Sequence, residues 1–524
     1  MRAAVALLAE CLERDLKILI VGDFDADGAT SSALGVRALR TLGARHVDYL
    51  VPNRFEYGYG LTPEIVALAA TRHPHLIVTV DNGISSHAGV AAARAAGMRV
   101  LVTDHHLPGA TLPEADAILN PNLPDDGFPS KCLAGVGVTF YLLLALRAHL
   151  RESGWFTQRA IPEPNLAEFL DIVALGTVAD LVPLDHNNRV LVAQGLARIR
   201  AGQCVPGIQA LLHTARRELA RVTAADLGYA VAPRLNAAGR LTDMSLGIEC
   251  LLADDETRAR ELAVRLDALN RERRAIEAQM REEALHALDQ MRLSTEDAAL
   301  PFGLCLFNTQ WHQGVIGLVA ARIKDRVHRP VIAFARAEDG QLRGSARSVA
   351  GVHIRDVLEA VDTRHPGLIG KFGGHAMAAG LNLAEQEFAR FAEAFDVEVR
   401  RWAKAGDLDG VLYTDGELDP EYLTLECAEL LHNAGPWGQA FPEPSFDGVF
   451  QILERRTVGQ GHVKLTLAEP RSHARVDAIA FHPVGAQLPE GCRQAHLVYR
   501  PEVNAYRGEN RLQLLVEHIE PVVP

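Results

Sequence analysis

Along the first half of the chain, short apolar runs alternate with segments whose apolar residues recur every three or four positions. Lys17–Val21, His46–Val51, Leu76–Val80, Arg99–Thr103 and Ala115–Leu119 read as buried strands. Thr30–Leu42, Thr62–Ala70 and Ser86–Ala96 read as the helices between them. This alternation predicts a parallel sheet covered on both faces, with ligands at the carboxyl ends of its strands. Helical segments follow from about Leu133 to Arg200. From Glu256 to about Met291 the chain is polar, and Leu262, Leu266, Leu269, Ile276 and Met280 mark one long amphipathic helix. Arg271, Arg273 and Arg274 read as its solvated face, with a basic wall facing a polyanion as the alternative. A second α/β unit runs from about Pro301 to Lys404, with strands at Leu304–Phe307 and Val331–Ala335. From Gly410 onward, strands at Gly448–Arg455, His462–Leu467, Ala474–Phe481, Ala495–Tyr499 and Arg511–His518 predict a small β-barrel or sandwich.

Composition narrows the class. The 524 residues suffice for about three domains. With 48% apolar and 23% charged residues, a disordered, collagen-like or disulfide-scaffold protein is excluded. No apolar run approaches the ~20 residues of a membrane helix; Val136–Leu146 is too short and meets Arg147. Met1–Val5 lacks a cleavage site, and Glu10, Glu13 and Arg14 follow, so no secretory leader is expected. The seven cysteines form no C-x-x-C pair, which fits a reducing, cytoplasmic location and no zinc knuckle. Fifty-three basic against 66 acidic residues give a net charge of −13. That argues against a globally basic nucleic-acid coat, but not against an enzyme that holds a polyanion through local arginines and bound cations.

The chemistry concentrates at strand ends. After the first apolar run come Asp23, Asp25 and Asp27, at alternate positions before Gly28. Carboxylates this crowded repel each other, and a multivalent cation is the natural compensation. An EF-hand loop begins similarly, but it requires a glutamate where this chain has Leu34, and a preceding helix rather than a strand. Asp81 ends the third strand, and Asp104-His105-His106 end the fourth. Three such groups on one sheet converge on one crevice. Asp180, after Leu175–Ala179, reads either as a helix cap or turn or as a fourth acid of the set. Oxygen ligands with imidazole and no thiolate suit Mn²⁺ or Mg²⁺. Metal-assisted phosphoryl hydrolysis follows, with two ions about 4 Å apart sharing a bridging carboxylate, activating a water and neutralising the leaving oxygen. Gly135-Val136-Gly137 lacks the completion of a dinucleotide fingerprint and reads as close packing at a helix start. No G-x-S-x-G nucleophile elbow is present.

Asp25-Ala26-Asp27, Asp81, Asp104-His105-His106 and Asp180 resemble the successive motifs of the DHH phosphoesterase superfamily. Gly370-Lys371-Phe372-Gly373-Gly374-His375 resembles the glycine-rich motif of the DHHA1 domain. Val51–Phe55, Arg234–Arg240, Trp311–Gly314 and Gly344–Ser348 are similar to the RecJ family of bacterial single-strand-specific exonucleases, and the resemblance covers nearly the whole chain. Members usually carry several tens of residues before the first strand, which here begins near Lys17. The resemblance implies an α/β fold: a DHH-type parallel-sheet catalytic domain at 1–253, a long connecting helix at 254–296, a DHHA1 α/β domain at 297–404 and a C-terminal OB-like, nucleic-acid-binding β-barrel at 405–524. The two α/β domains would face each other across a narrow groove that admits one strand.

It further implies processive 5′→3′ hydrolysis of single-stranded DNA to nucleoside 5′-monophosphates, in recombination and repair. Asp25, Asp27, Asp81, His105 and Asp180 would bind Mn²⁺ or Mg²⁺ in a two-metal site, assisted by Asp23. Asp81 and Asp104 would take part in catalysis, and His106 would orient the scissile phosphate or donate a proton. Arg240, Ser345 and Arg347 would grip the 5′-terminal phosphate, with Asn236, His312 and His375 lining the same cleft. Arg54 and Tyr59 would hold the backbone and stack on a base. In the barrel, Arg455, Arg456, Lys464, Arg475, Arg507 and Arg511 would track phosphates, and Tyr506 or Phe481 would stack; an ordinary solvated surface is the alternative there. Single-strand-binding protein and a DNA helicase are the implied partners, with no membrane. Two alternatives stand: a DHH phosphoesterase acting on short oligonucleotides, or a non-catalytic replication or repair scaffold. The filled metal positions argue against the scaffold.

Overall fold

Five short apolar strands, β1 (Ile18–Gly22), β2 (Val47–Leu50), β3 (Leu76–Val80), β4 (Arg99–Thr103) and β5 (Ala117–Leu119), form the first sheet in the order β2-β1-β3-β4-β5. The structure is a computed structural model; it describes residues 1–524 except 54–59, 295–299, 338–339, 405, 460, 482–487, 490, 507–508 and 523–524. All neighbouring strands of this sheet are parallel. Helices α1 (Arg2–Glu13), α2 (Ala26–Thr41), α3 (Pro63–Ala70), α4 (His87–Ala95) and α5 (Gly135–Glu152) accompany it. Strands β1 and β3 are buried at every position, as continuous apolar runs in a two-sided parallel sheet should be. Ile65, Ala69, Val90 and Ala93 of α3 and α4 pack on Leu19, Val21, Ile77 and Val100. Strand order reverses between β1 and β3, so a crevice opens at their carboxyl ends. Then come α6 (Trp155–Arg159), α7 (Leu170–Ala179), α8 (His186–Arg200), α9 (Pro206–Thr214) and the short α10 (Ala224–Asp226), which runs into a π-helical turn, Leu227–Val231.

The chain divides into two compact units. One holds Met1–Pro233, Gly247–Leu262 and Leu412–Pro524; the other holds Arg234–Leu246 and Ala263–Val411. Helices α11 (Ala232–Leu241), α12 (Ser245–Leu252) and the 39-residue α13 (Glu256–Ser294) come next along the chain. Leu262, Leu266 and Met280 are buried, as the periodicity predicts. Arg273 is also buried, which corrects its reading as part of a solvated face; Arg271 and Arg274 are exposed. It lies seven residues from both Leu266 and Met280, so the helical period turns it inward. There it pairs with Glu277 and donates to Asn270 Oδ1 at 2.7 Å.

In the second unit, β6 (Leu304–Phe307), β7 (Val331–Arg336), β8 (Gln341–Arg347), β9 (Lys371–Gly374) and β10 (Ala378–Ala384) form a sheet in the order β6-β7-β8-β10-β9. Only β6 and β7 are parallel. Helices α14 (Ile316–Val327), α15 (Ile354–Arg364) and α16 (Phe388–Trp402) cover it. Phe334, Phe391 and Phe395 centre one side of the core, and Met280, Val319 and Ile323 the other. In the first unit's last segment, α17 (Leu425–Ala434) precedes β11 (Phe446–Val458), β12 (His462–Ala468), β13 (Arg475–Ala480), β14 (Gln494–Tyr506) and β15 (Glu509–Pro521). They close into the barrel β11-β12-β13-β15-β14, which settles barrel against sandwich. All seven cysteines are free. Among the described residues no helix is long and apolar enough to cross a membrane.

Candidate metal centre

Strand order delivers the acids. Asp23 follows β1, Asp81 follows its neighbour β3, and Asp104 follows β4, so three adjacent strand ends each carry a buried carboxylate. Asp25 caps α2, its Oδ1 accepting from the N–H groups of Asp27 (2.9 Å) and Gly28 (3.0 Å). That capping turns Asp27 inward, where it is 1% exposed. Its two oxygens accept from Gly135 N (2.6 Å) and Val136 N (2.9 Å) at the start of α5. Asp81 sits in the left-handed region, at φ 62°, which aspartate tolerates better than most residues. Asp180 is at once the cap of α7 and a member of the cluster, so both readings of its position hold.

His105 joins the acids. Its Nε2 lies 3.0 Å from Asp81 Oδ1, 3.5 Å from Asp180 Oδ2 and 4.0 Å from Asp27 Oδ2. Three overlapping triads result: Asp81, His105 and His106; Asp27, His105 and Asp180; Asp23, Asp25 and Asp81. In each, the possible ligand atoms lie within 4.8 Å of one another. Burial pushes the Asp27 carboxyl up to about 7; Asp25 adds to the rise and the α5 N–H groups oppose it. Burial, then the neighbouring carboxylates, hold Asp81 and Asp180 well above the usual range. The buried Oδ2 of Asp180 accepts no hydrogen bond. Crowded, desolvated carboxylates with an imidazole and no thiol fit Mn²⁺ or Mg²⁺, whose charge offsets the repulsion.

Asp104 has a different task. Ile84 N donates to its Oδ2, and His105 N, His106 N and the His106 ring at Nδ1 (2.7 Å) meet its Oδ1. Burial would raise its carboxyl, but the His106 ring and the N–H donors outweigh that and hold it low. Burial would likewise lower His106, but Asp104 holds it above the ordinary imidazole range. Residue reading missed the groups that set these side chains. Asn120 donates to His106 O (2.8 Å) and Asn122 to His105 O (2.6 Å). Asn82 ties the turn after β3 to Val21 O and Val80 O. Gly135-Val136 was visible only as a packing motif. It is that too, since a Cβ at Gly135 would fall 2.6 Å from Asp81 Cβ.

The second unit holds a cationic group of its own. Arg240, near the end of α11, donates to Gly314 O at 3.2 Å, and His312 Nδ1 accepts from Gly314 N at 3.1 Å. On β8, Arg347 Nη1 donates to Ser345 Oγ (3.2 Å) and Ala346 O (2.7 Å). Gly317 lets the start of α14 approach them, since a Cβ there would lie 2.8 Å from Ser345 Oγ and 2.9 Å from Arg347 Nη2. Arg234 fixes α11 by pairing with the buried Asp267 of α13 at 2.8 Å. Asn236 stands one turn before Arg240, and His375 stands between β9 and β10. Arg54 and Tyr59 lie outside the described residues, as do Arg507 and the Tyr506 side chain. In the barrel, Lys464 pairs with Asp477 (2.7 Å), Arg511 with Glu509 (2.6 Å), and Arg455 donates to Leu488 O (2.8 Å). Phe481 is half exposed.

Comparison with known proteins agrees with this architecture. The chain matches the DHH family, N-terminal domain, over residues 17–177, the DHHA1 domain over 301–401 and the RecJ OB domain over 414–518. It is 58% identical over 520 residues to the single-stranded-DNA-specific exonuclease RecJ of Dickeya dadantii and 55% to that of Escherichia coli. Each match spans 99% of this chain and 90% of the relative. Among solved structures, RecJ from Thermus thermophilus in complex with Mn²⁺ aligns with a TM-score of 0.80 at 30% identity, covering 100% of this chain and 72% of that one. The same protein in complex with Mg²⁺ aligns with a TM-score of 0.74 at 29% identity, covering 100% and 70%. With three domain matches in sequence, near-complete coverage and a buried acid–histidine centre at the strand ends, the chain belongs to the RecJ family.

Proposed function

We infer that this chain is a metal-dependent exonuclease of single-stranded DNA. The observation that carries it is the position of His105 Nε2 within 4.0 Å of three buried carboxylates at the sheet's switch point. The relatives named as single-stranded-DNA-specific exonucleases, and the Mn²⁺ and Mg²⁺ complexes of the Thermus protein, support it. Asp23, Asp25, Asp27, Asp81, His105 and Asp180 are the proposed metal ligands. Bound Mn²⁺ or Mg²⁺ supplies an activated water and neutralises charge on the phosphate and the leaving oxygen. The chain's own groups do the rest. Asp27 is aimed by two N–H groups of α5, so the acids are ordered before any ligand arrives. Asp104 takes the Nδ1 proton of His106, which leaves Nε2 to donate to a substrate oxygen.

The finer proposal is 5′→3′ polarity with release of nucleoside 5′-monophosphates, in recombination and repair. Its support is the second unit's cationic group, since Arg240, Ser345, Arg347 and the start of α14 are the donors a terminal phosphate would use, with Asn236, His312 and His375 nearby in the fold. The four-part division at 253, 296 and 404, partnership with single-strand-binding protein and a DNA helicase, and a cytoplasmic location belong to the same proposal and rest on family membership.

The test is a time course on 3′-end-labelled, 5′-phosphorylated single-stranded DNA, with Mn²⁺ or with chelator. Shrinking labelled strands in Mn²⁺ alone support the proposal; immediate release of labelled mononucleotide overturns its polarity. Asp81→Asn, which suits the left-handed backbone, is expected to lower the rate by roughly three orders of magnitude or more.

A further inference from the structure

We propose that Tyr229, with Leu181 beside it, is the surface on which one nucleobase of the strand stacks at the metal centre. The proposal rests on the single-stranded-DNA reading and adds to it a residue that sets how the strand is held. Tyr229 lies in the π-helical turn Leu227–Val231, where Leu227, Ala230 and Val231 are buried. Tyr229 itself is 78% exposed. The turn rests on α7, because a Cβ at Gly228 would lie only 3.2 Å from Val178 Cγ1. Val178 is two residues from Asp180, so the exposed ring stands beside the helix end that carries a proposed ligand.

Two further exposed apolar residues adjoin the centre. Leu181 follows Asp180 directly, is 66% exposed, and is held at φ 58°. Leu107 follows His106 directly and is 65% exposed. One exposed leucine on a protein surface means nothing. Here an aromatic ring and two leucines border a site whose interior is carboxylate and imidazole. Phosphoester hydrolysis itself calls only for the polar interior; the apolar border matches the other half of a nucleotide. π-Helical turns interrupt regular helical bonding and recur at functional sites, and this one turns residue 229 out of an otherwise buried segment. Every base has a π-face, so a tyrosine platform tolerates any sequence. Bases in a duplex are already stacked on each other, so the platform serves a single strand and adds to strand selectivity.

The test compares the full chain with Tyr229→Ala and Tyr229→Phe on single-stranded DNA in Mn²⁺, and repeats it with one abasic position moved through the first few nucleotides. Tyr229→Ala is expected to raise KM by roughly 5- to 150-fold with little change in kcat, and Tyr229→Phe to restore most of that loss. At one abasic position the wild-type should lose the same factor, and Tyr229→Ala should add nothing further. An unchanged KM in Tyr229→Ala, or penalties that add at every position, overturns the proposal. So does a parallel fall in Mn²⁺ affinity, which would make Tyr229 a structural support of the centre. A wild-type chain that leaves single-stranded DNA intact refutes the underlying reading instead.

Discussion

Asp104 and Asp27 are both buried aspartates at the same crevice, yet their surroundings set them to opposite uses. Asp104 is filled by N–H donors and an imidazole and stays ionised. Asp27 keeps too few donors to offset its burial and its neighbours, and takes up a proton unless a cation is present. Asp104→Asn should therefore leave ligand positions in place but release His106 from its charged partner. We expect kcat to fall by roughly 10²- to 10⁴-fold with KM little changed. His106 is held above its ordinary range by Asp104, so losing that charge lowers its pKa. The alkaline limb of the pH–rate profile should then move to lower pH; a limb that stays in place would show that His106 is not the titrating group.

At the scale of elements, one close approach holds the centre together: the start of α5 against the turns after β1 and β3. Gly135→Ala would drive a methyl group to 2.6 Å from Asp81 Cβ and 2.9 Å from its Cα. We expect a loss of about 1–3 kcal/mol in denaturant unfolding, together with weaker Mn²⁺ binding in a titration. Gly137→Ala meets only the Leu133 side chain, at 3.0 Å from Cδ2, and should cost less. The apolar runs of β1, β3 and β4 made these strands readable, and with them the acids at their ends. Strands β8 to β10 were not readable: Gly344, Gly373, Gly374 and Gly380 stand where β-branched residues would signal a strand. Strand β11 runs to Val458, beyond the predicted Arg455, because its outer half is exposed and polar and breaks the alternation. Contacts that cross the sequence, such as Gly135 on Asp27, leave no local pattern at all.

At the scale of the molecule, the acids couple folding to metal and pH. Asp27, Asp81 and Asp180 have folded pKa values above the ordinary ~3.9. Without metal, the folded state therefore binds more protons than the unfolded one from about pH 4 to beyond 7. Stability must fall as pH rises through that window. Thermal unfolding of chelator-treated protein should show a higher midpoint at pH 5.5 than at pH 8. Mn²⁺ should raise the midpoint at both, and more at pH 8, where the carboxylates it replaces protons on are already ionised. At a hundredfold excess over Kd the gain is about 2.7 kcal/mol. A metal-free midpoint that rises from pH 5.5 to 8 would contradict the buried-acid account.

The strand edges bear on how the protein behaves when crowded. The barrel is closed and offers no open edge. In the two open sheets the outermost strands are β2, β5, β6 and β9, of four, three, four and four residues. Edges that short give a neighbouring copy little backbone to pair with, and pairing between edges is the usual route from native sheet to aggregate. Copies gathered along one long DNA strand can therefore reach high local density without templating each other into insoluble sheet.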